Sequence, residues 1–177
     1  VFGVGGGLLA LLAFANISYR SYRVYAPHAF GVALVLTMLV FVPGLGYEAN
    51  GAHRWISIFG QSLQPGEILK ITFVLYLAWY YSLYHKRLHD IRFSLGGFLG
   101  ALGVSGIILL LQPDTGTFLI LATAGIAIAF TAGVHIKHLA LLAGLFLVGI
   151  LILVLSRPYL LDRVTTFMDP QNDPSGS

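Results

Sequence analysis

The sequence of 177 residues has no cysteine and few charged residues. The absence of cysteine excludes disulfide bonds and thiolate metal sites. Charged residues make up only 10% of the chain, whereas a soluble domain carries about 25%. The hydrophobic fraction is 57% and the mean hydropathy is +0.84. This composition predicts a protein that lies in lipid rather than a soluble domain.

Six apolar segments are long enough, or nearly so, to cross a bilayer as helices, which takes about 20 apolar residues each. They are continuously apolar instead of alternating in hydrophobicity, which disfavours strands. We therefore predict an all-α polytopic membrane protein, with residues 1–177 forming a piece of one membrane domain. The chain begins inside an apolar run and ends in a polar loop, so we interpret it as an internal part of a longer protein. The predicted spans are 1–17, 24–46, 67–84, 94–112, 115–133 and 138–156, followed by an outer loop at 157–177.

The distribution of lysine and arginine predicts the orientation of these spans. Six of the ten basic residues lie in alternate connections, which the positive-inside rule assigns to the cytoplasm. Both ends of the chain and its longest polar loops then face outward. The six residues are Arg20, Arg23, Lys86, Arg87, Arg92 and Lys137. They lie in short loops, so the formal charge of +3 does not indicate a nucleic-acid partner.

The first polar block contains Gln64, Glu67 and Lys70 around a predicted helix start. Pro65 suits the first turn of a helix, and a carboxylate at Glu67 favours the positive end of the helix dipole. Lys70 lies one turn later on the same face, so we expect it to pair with Glu67. Because a lysine facing lipid is costly, the pair is predicted to face the bundle interior or a wet cavity. A structural pair and a ligand-facing pair are both open alternatives.

Two further blocks lie in predicted outward connections. Arg54 and Trp55 form a pair that suits either a membrane anchor or a site for a pyrophosphate and its attached sugar or lipid. Asp114 is expected to cap the helix that follows, and Thr117 belongs to the same turn. Capping does not explain why this break is so short and so polar, because irregular backbone at membrane depth needs protein or water around it. Arg163 lies in the last loop.

Other polar and small residues indicate packing rather than chemistry. No nucleophile triad, phosphate-binding glycine loop, metal motif or cofactor motif is identifiable. The histidines in the cytoplasmic connections have no convergent acidic partners, so we predict no metal site. A glycine stripe in the fourth span is expected to support close helix packing. Its members are Gly96, Gly97, Gly100, Gly103 and Gly106.

Together the polar blocks resemble the SEDS family of bacterial cell-wall proteins, which includes FtsW, RodA and SpoVE, and the FtsW branch slightly more than the others. The resemblance covers essentially the whole chain and rests on four short motifs in the expected order. Gly66 stands where the family usually has serine, and Thr115 where an apolar residue is commoner. The motifs are EANGAHRWI, SLQPGEILK, LLLQPDTGT and RVTTFMDPQNDPSGS.

The resemblance implies a membrane domain of about ten helices that polymerises lipid II at the outer face of the cytoplasmic membrane. The family's catalytic aspartate belongs to a motif of the form P-E-x-H-T-D-F, which does not occur here, so we expect no catalytic residue and no activity in this stretch alone. Arg54, Lys70 and Arg163 are the candidate cations for the departing pyrophosphate. The candidate cavity residues are Trp55, Gln64, Glu67, Asp114 and Thr117.

The resemblance also implies partners in the bacterial inner membrane. Besides lipid II, these are a class B penicillin-binding protein that crosslinks the glycan and other membrane proteins of the division or elongation machinery. Two other functions stay open. An intramembrane Glu67–Lys70 pair also suits a flippase or transporter of lipid-linked precursors, and a third alternative is a scaffold for division without catalytic activity.

Overall fold

The computed structural model describes residues 7–8, 12, 15–49, 52–58 and 61–156, and these residues are mostly helical. Two 3-10 turns, Leu39–Phe41 and His85–Arg87, follow the first and second helices. The helices are α1 (Tyr19–Met38), α2 (Pro65–Tyr84), α3 (Ile91–Leu111), α4 (Thr115–Thr131) and α5 (Ile136–Ser156). The strands are β1 (Gly46–Ala49), β2 (Ala52–Ile58) and β3 (Gln61–Leu63).

The five helices overlap the second to sixth predicted spans. The predicted span 24–46 begins and ends later than the helical segment Tyr19–Phe41. Helix α1 begins after Ser18 in extended backbone, and its 3-10 extension stops at Phe41. Pro43 and Gly44, which has a φ of +86°, then form a turn that ends the apolar segment. The predicted span 1–17 lies largely outside the described residues.

Two of the described helical segments are long and apolar enough to cross a bilayer, judged by length and composition. They are Tyr19–Phe41 and Ile91–Leu111, whereas Thr115–Thr131 and Ile136–Ile152 are apolar but shorter. The count of six spans stays a prediction. Helix α2 carries charged and tyrosine residues that lower its mean hydropathy, which is why apolar content alone does not single it out.

Helix α2 is the centre of the first of two compact units, which ends at His135. It packs against α1, α3 and α4. Leu69, Phe73, Leu77 and Tyr81 repeat every four residues, so they share one helix face, and all four are buried. The Tyr81 hydroxyl donates a 3.0 Å hydrogen bond to the Ser94 carbonyl of α3. Helix α5 belongs to the second unit and is an apolar helix of 21 residues.

Three of the small residues in the bundle lie directly under aromatic rings. A Cβ atom added to Gly97 would collide with the Tyr80 ring, and one added to Gly106 would meet Phe118. Gly125 of α4 is similarly covered by Phe98. Gly100 and Gly103 have nothing within 4 Å among the described residues. The prediction of close packing is therefore confirmed for part of the glycine stripe.

The segment between α1 and α2, which we predicted as a loop, contains a three-stranded antiparallel sheet in the order β1-β2-β3. In the register, Tyr47 lies opposite Trp55 and Ser57 opposite Ser62, with an irregularity after Tyr47. Strand β2 contacts the 3-10 turn at the end of α1 and also α2. Gly46 passes so close to the Val40 carbonyl that a Cβ atom would not fit. The sheet is thus fixed against the ends of two helices.

Candidate functional site

The break between α3 and α4 is the three-residue segment Gln112-Pro113-Asp114. Its backbone continues from α3, because the Asp114 N–H donates to the Leu109 carbonyl at 2.8 Å. The Asp114 carboxylate accepts a 3.3 Å hydrogen bond from the Thr117 N–H and so caps α4. The predicted capping role of Asp114 is confirmed, and capping by aspartate stabilises a helix start by about 1 kcal/mol.

Gln112 connects this break to the end of α1. Its Nε2 atom donates a 2.7 Å hydrogen bond to the carbonyl of Thr37, and both residues are buried. The last carbonyls of a helix have no partner within the helix. Gln112 therefore satisfies a buried group that α1 itself leaves open, while the Thr37 hydroxyl donates back to the Ala33 carbonyl.

Arg54 of β2 connects the same break to the sheet. Its Nη2 atom donates a 2.5 Å hydrogen bond to the Pro113 carbonyl. Its Nη1 atom lies 3.6 Å from the Asp114 carboxylate, and the side chains are 34% and 4% exposed respectively. A planar guanidinium can serve a carbonyl and a carboxylate at once, which a lysine ammonium does less well. We name Arg54, Gln112, Pro113 and Asp114 the polar junction.

The first turn of α2 lies beside the polar junction. A Cβ atom added to Gly66 would lie 3.8 Å from the Asp114 carboxylate, from the Gln64 amide and from the Thr117 methyl group. The N-terminal ends of α2 and α4 therefore lie close together. Both helix dipoles favour a negative charge there, and the Asp114 carboxylate is bound by an N–H of α4 and faces Arg54.

Glu67 and Lys70 form the predicted pair one turn further along α2. The Lys70 Nζ atom lies 2.9 Å from one carboxylate oxygen of Glu67 and 2.8 Å from the other. The Lys70 side chain is 26% exposed and that of Glu67 is 60% exposed. Pairing is confirmed, but Glu67 is not buried, so the carboxylate stays accessible. A partly exposed pair of this kind contributes about 0–1 kcal/mol to stability.

Among the described residues, Trp55 does not share the polar contacts of its neighbour Arg54. Neighbouring residues of a strand point to opposite faces of the sheet. Arg54 therefore shares its face with the buried Ile56, whereas Trp55 lies on the other face. Gln64 precedes α2, where its carbonyl accepts a 3.1 Å hydrogen bond from Glu67 N–H. Arg163 lies outside the described residues.

Sequence reasoning missed Gln112 and the carbonyl groups of Pro113 and Thr37. A polar side chain at the end of an apolar helix, directly before proline, was the available signal for Gln112. Nothing in the sequence indicated that its partner would be a backbone group of α1. The site thus consists of side chains that form hydrogen bonds with backbone groups at helix ends. One arginine, Arg54, connects the sheet to these helix ends.

Comparison with known proteins gives the family. The model of the FtsW, RodA and SpoVE family, described as cell cycle protein, matches residues 2–177. The chain belongs to this family. Its members are membrane proteins, in agreement with the composition of the chain. The sequence resemblance and the FtsW-like character are thereby confirmed.

Curated relatives cover the chain almost completely. Stage V sporulation protein E of Bacillus subtilis is 34% identical over 176 residues, which are 98% of this chain and 47% of that protein. The probable peptidoglycan glycosyltransferase FtsW of Halorhodospira halophila is 37% identical over 171 residues, covering 95% and 42%. The chain therefore spans less than half the length of these relatives.

Solved structures give the same fold. A chain from a peptidoglycan synthase complex, described as coordinating polymerization and crosslinking, matches with a TM-score of 0.70 and 32% identity. That match covers 98% of this chain and 51% of the other. The rod shape determining protein RodA of Thermus thermophilus matches with a TM-score of 0.64 and 31% identity, covering 83% and 47%. At these identities the likeness extends beyond chance similarity of helical bundles.

Proposed function

We propose that this chain forms part of the membrane domain of a peptidoglycan glycosyltransferase that polymerises lipid II during cell division or elongation. The observation that carries the proposal is the family match over residues 2–177. Relatives that are 33–37% identical have the name probable peptidoglycan glycosyltransferase FtsW. The likeness to a chain of a peptidoglycan synthase complex supports the same reaction class.

In this proposal the chain supplies six of about ten transmembrane helices of a multi-pass inner-membrane protein. The sheet, the polar junction and both ends of the chain face outward, and the turn after α2 faces the cytoplasm. The positive-inside rule supports this orientation, because Lys86 and Arg87 lie in that turn. The apolar segments Tyr19–Phe41 and Ile91–Leu111 have the length and composition that the arrangement requires.

The proposed reaction is a glycosyl transfer. The oxygen of a sugar hydroxyl attacks the anomeric carbon of a second lipid-linked sugar, a base takes the hydroxyl proton, and the bond to the pyrophosphate breaks. Undecaprenyl pyrophosphate leaves with the bonding electrons. The family resemblance assigns the base to an aspartate outside these 177 residues. The described chain would contribute cations for the leaving group and walls for the cavity.

Lys70 suits the role of a cation better than Arg54. Arg54 already serves the Pro113 carbonyl and faces the Asp114 carboxylate, so we propose that it positions the sheet. Lys70 pairs with an exposed carboxylate, so a phosphate group can compete for its ammonium. Trp55, Gln64, Glu67, Asp114 and Thr117 would line or support the cavity, and Arg163 would add charge from the last loop.

The proposed partner is a class B penicillin-binding protein that crosslinks the new glycan, together with other membrane proteins of the division or elongation machinery. The match to a synthase complex that combines polymerization and crosslinking supports such a partner.

A polymerisation assay with the full-length protein and purified lipid II tests the proposal. We expect glycan chains, in greater amount when the transpeptidase partner is present, and no chains when the expected downstream aspartate is replaced. Movement of lipid II across vesicles without chain formation would instead support a flippase. Neither activity, with division complexes still assembling around the protein, would support a scaffold.

A further inference from the structure

The end of α2 opposite the polar junction carries a second group of charged residues that the proposed reaction does not use. A cavity of about 350 Å³ lies there, lined by Leu83, Tyr84, His85, Lys86 and Arg87. The last three residues form the 3-10 turn after α2, and we call them the basic turn.

The basic turn is held in place by the residues that follow it. Leu88, the next residue, is buried. The Asp90 N–H donates a 3.0 Å hydrogen bond to the Arg87 carbonyl. The Arg87 guanidinium lies 5.3 Å from the centroid of the Phe93 ring, which is within cation–π distance. The cations therefore project from a turn that is held by contacts with the start of α3.

The positive charge of the basic turn is not neutralised by the described part of the chain. The ion pairs described there use Arg54 and Lys70, and neither involves Lys86 or Arg87. The nearby carboxylate of Asp90 caps α3 instead, by accepting a 2.9 Å hydrogen bond from the Arg92 N–H. Two exposed cations on a fixed turn thus remain available for an anion.

The other wall of the cavity is apolar. Leu83 is 49% exposed. The Tyr84 ring packs at a tilt between the rings of Tyr80, with centroids 4.8 Å apart, and Phe93, at 5.1 Å. Tyrosine at such a position is typical of a membrane–water interface. A soluble phosphate compound would use only the cations, whereas a phospholipid would use both walls.

The geometry points to a binding site for an anionic phospholipid at the end of α2. The phosphate of the headgroup binds Lys86 and Arg87, and the start of an acyl chain lies on Leu83 and Tyr84. Anionic lipids attract lysine and arginine residues at the membrane surface. This site is independent of the glycosyl transfer, so each proposal can fail without the other.

Lipid binding by the full-length protein tests the site directly. The protein is placed in nanodiscs of phosphatidylcholine with increasing phosphatidylglycerol, and retained lipid is counted by native mass spectrometry after mild detergent extraction. We expect selective retention of phosphatidylglycerol. The double variant Lys86→Gln, Arg87→Gln should lose at least about fivefold in that retention, because each basic residue adds attraction for an anionic headgroup.

The matched control is Arg20→Gln, Arg23→Gln, which removes two exposed cations on the same predicted side that do not line the cavity. It should change retention by less than about twofold, and Leu83→Ser should weaken retention without any change of charge. Equal losses in the two double variants would overturn the site in favour of general surface charge. Displacement of the lipid by millimolar inorganic phosphate would also overturn it, because the site would then take soluble phosphate. Thermal unfolding of each variant separates these outcomes from misfolding.

Discussion

The two ends of α2 are built on different principles. A helix of 20 residues is about 30 Å long. At its start, the terminal nitrogens of Arg54, the Gln112 amide and the Asp114 carboxylate have specific partners, which are backbone carbonyls, a backbone N–H or each other. At its end, aromatic rings pack against one another, and the cations Lys86 and Arg87 have no ion-pair partner in the described residues.

The difference follows from what each end has to satisfy. At the start of α2, two helix ends and a three-residue break come together, and each exposes backbone groups that need partners. At the other end, the connection to α3 is a regular 3-10 turn with a capped helix after it, so the side chains are free for other contacts. Substitutions at the start of α2 should therefore affect stability through single polar contacts, and those at the other end through packing.

The largest loss of stability is expected from Arg54→Ala. The change leaves the buried carboxylate of Asp114 and the Pro113 carbonyl without their partner. Breaking a fully buried pair costs about 3–5 kcal/mol, and we expect about 2–3 kcal/mol because a third of Arg54 is exposed. Equilibrium unfolding of the full-length protein in detergent measures the change. Arg23→Ala removes an exposed arginine and is the control, so an equal loss there would contradict the role of the polar junction.

Gly97→Ala should cost about 2 kcal/mol, by the usual penalty for overpacking. The new methyl group collides with the Tyr80 ring, which would have to leave its contacts with the rings of Tyr76 and Tyr84. Gly100→Ala in the same helix has free space and is the control. Alanine has a higher helix propensity than glycine, so Gly100→Ala should be neutral or stabilising. The same equilibrium unfolding assay measures both variants. Similar changes in the free energy of unfolding would contradict aromatic packing as the main interaction at this end of α2.

Gln112→Leu tests the connection between the break and α1, with an expected loss of about 1 kcal/mol. Leucine keeps most of the volume but cannot donate to the buried Thr37 carbonyl. The effect is smaller than that of Arg54→Ala because no charge is left unpaired. Hydrogen exchange should show faster opening at the end of α1 alone. If hydrogen exchange became faster in all helices of the bundle, the variant would have a general packing defect instead.

Much of the helical fold could be predicted, because the helices are long apolar segments and some of their ends have recognisable sequence signals. The start of α2 at Pro65 followed from proline and Glu67, and the start of α4 from Asp114. The sheet was not predicted because its strands are short and mix polar with apolar residues. Apolar content therefore does not distinguish them from a loop. The end of α1 was also missed, since the apolar segment continues past the turn at Gly44.

The site could be predicted only where its contacts are local. Glu67 and Lys70 are three residues apart, so helical spacing alone brought them together. Arg54 and Pro113 are 59 residues apart, and Gln112 and Thr37 are 75 apart. Such pairs depend on how α1, α3 and the sheet pack around α2. The spacing of residues along the sequence gives no information about that packing. The alternation of strand β2 also separated Trp55 from Arg54, although the two are neighbours in sequence.

The smallest change in stability, and a clear change in activity, is expected from Lys70→Met. The pair with Glu67 is partly exposed, so its loss should change the free energy of unfolding by less than about 0.5 kcal/mol. If Lys70 contacts the departing pyrophosphate, lipid II polymerisation by the full-length protein should fall by about tenfold or more, since removing one charge-stabilising donor at a reacting group costs about 10²–10³-fold in other enzymes. Ile71→Met introduces the same side chain at an exposed neighbour and should leave both properties unchanged. Polymerisation at the wild-type rate in Lys70→Met would mean that the Glu67–Lys70 pair is structural, and the start of α2 would then act through the polar junction alone.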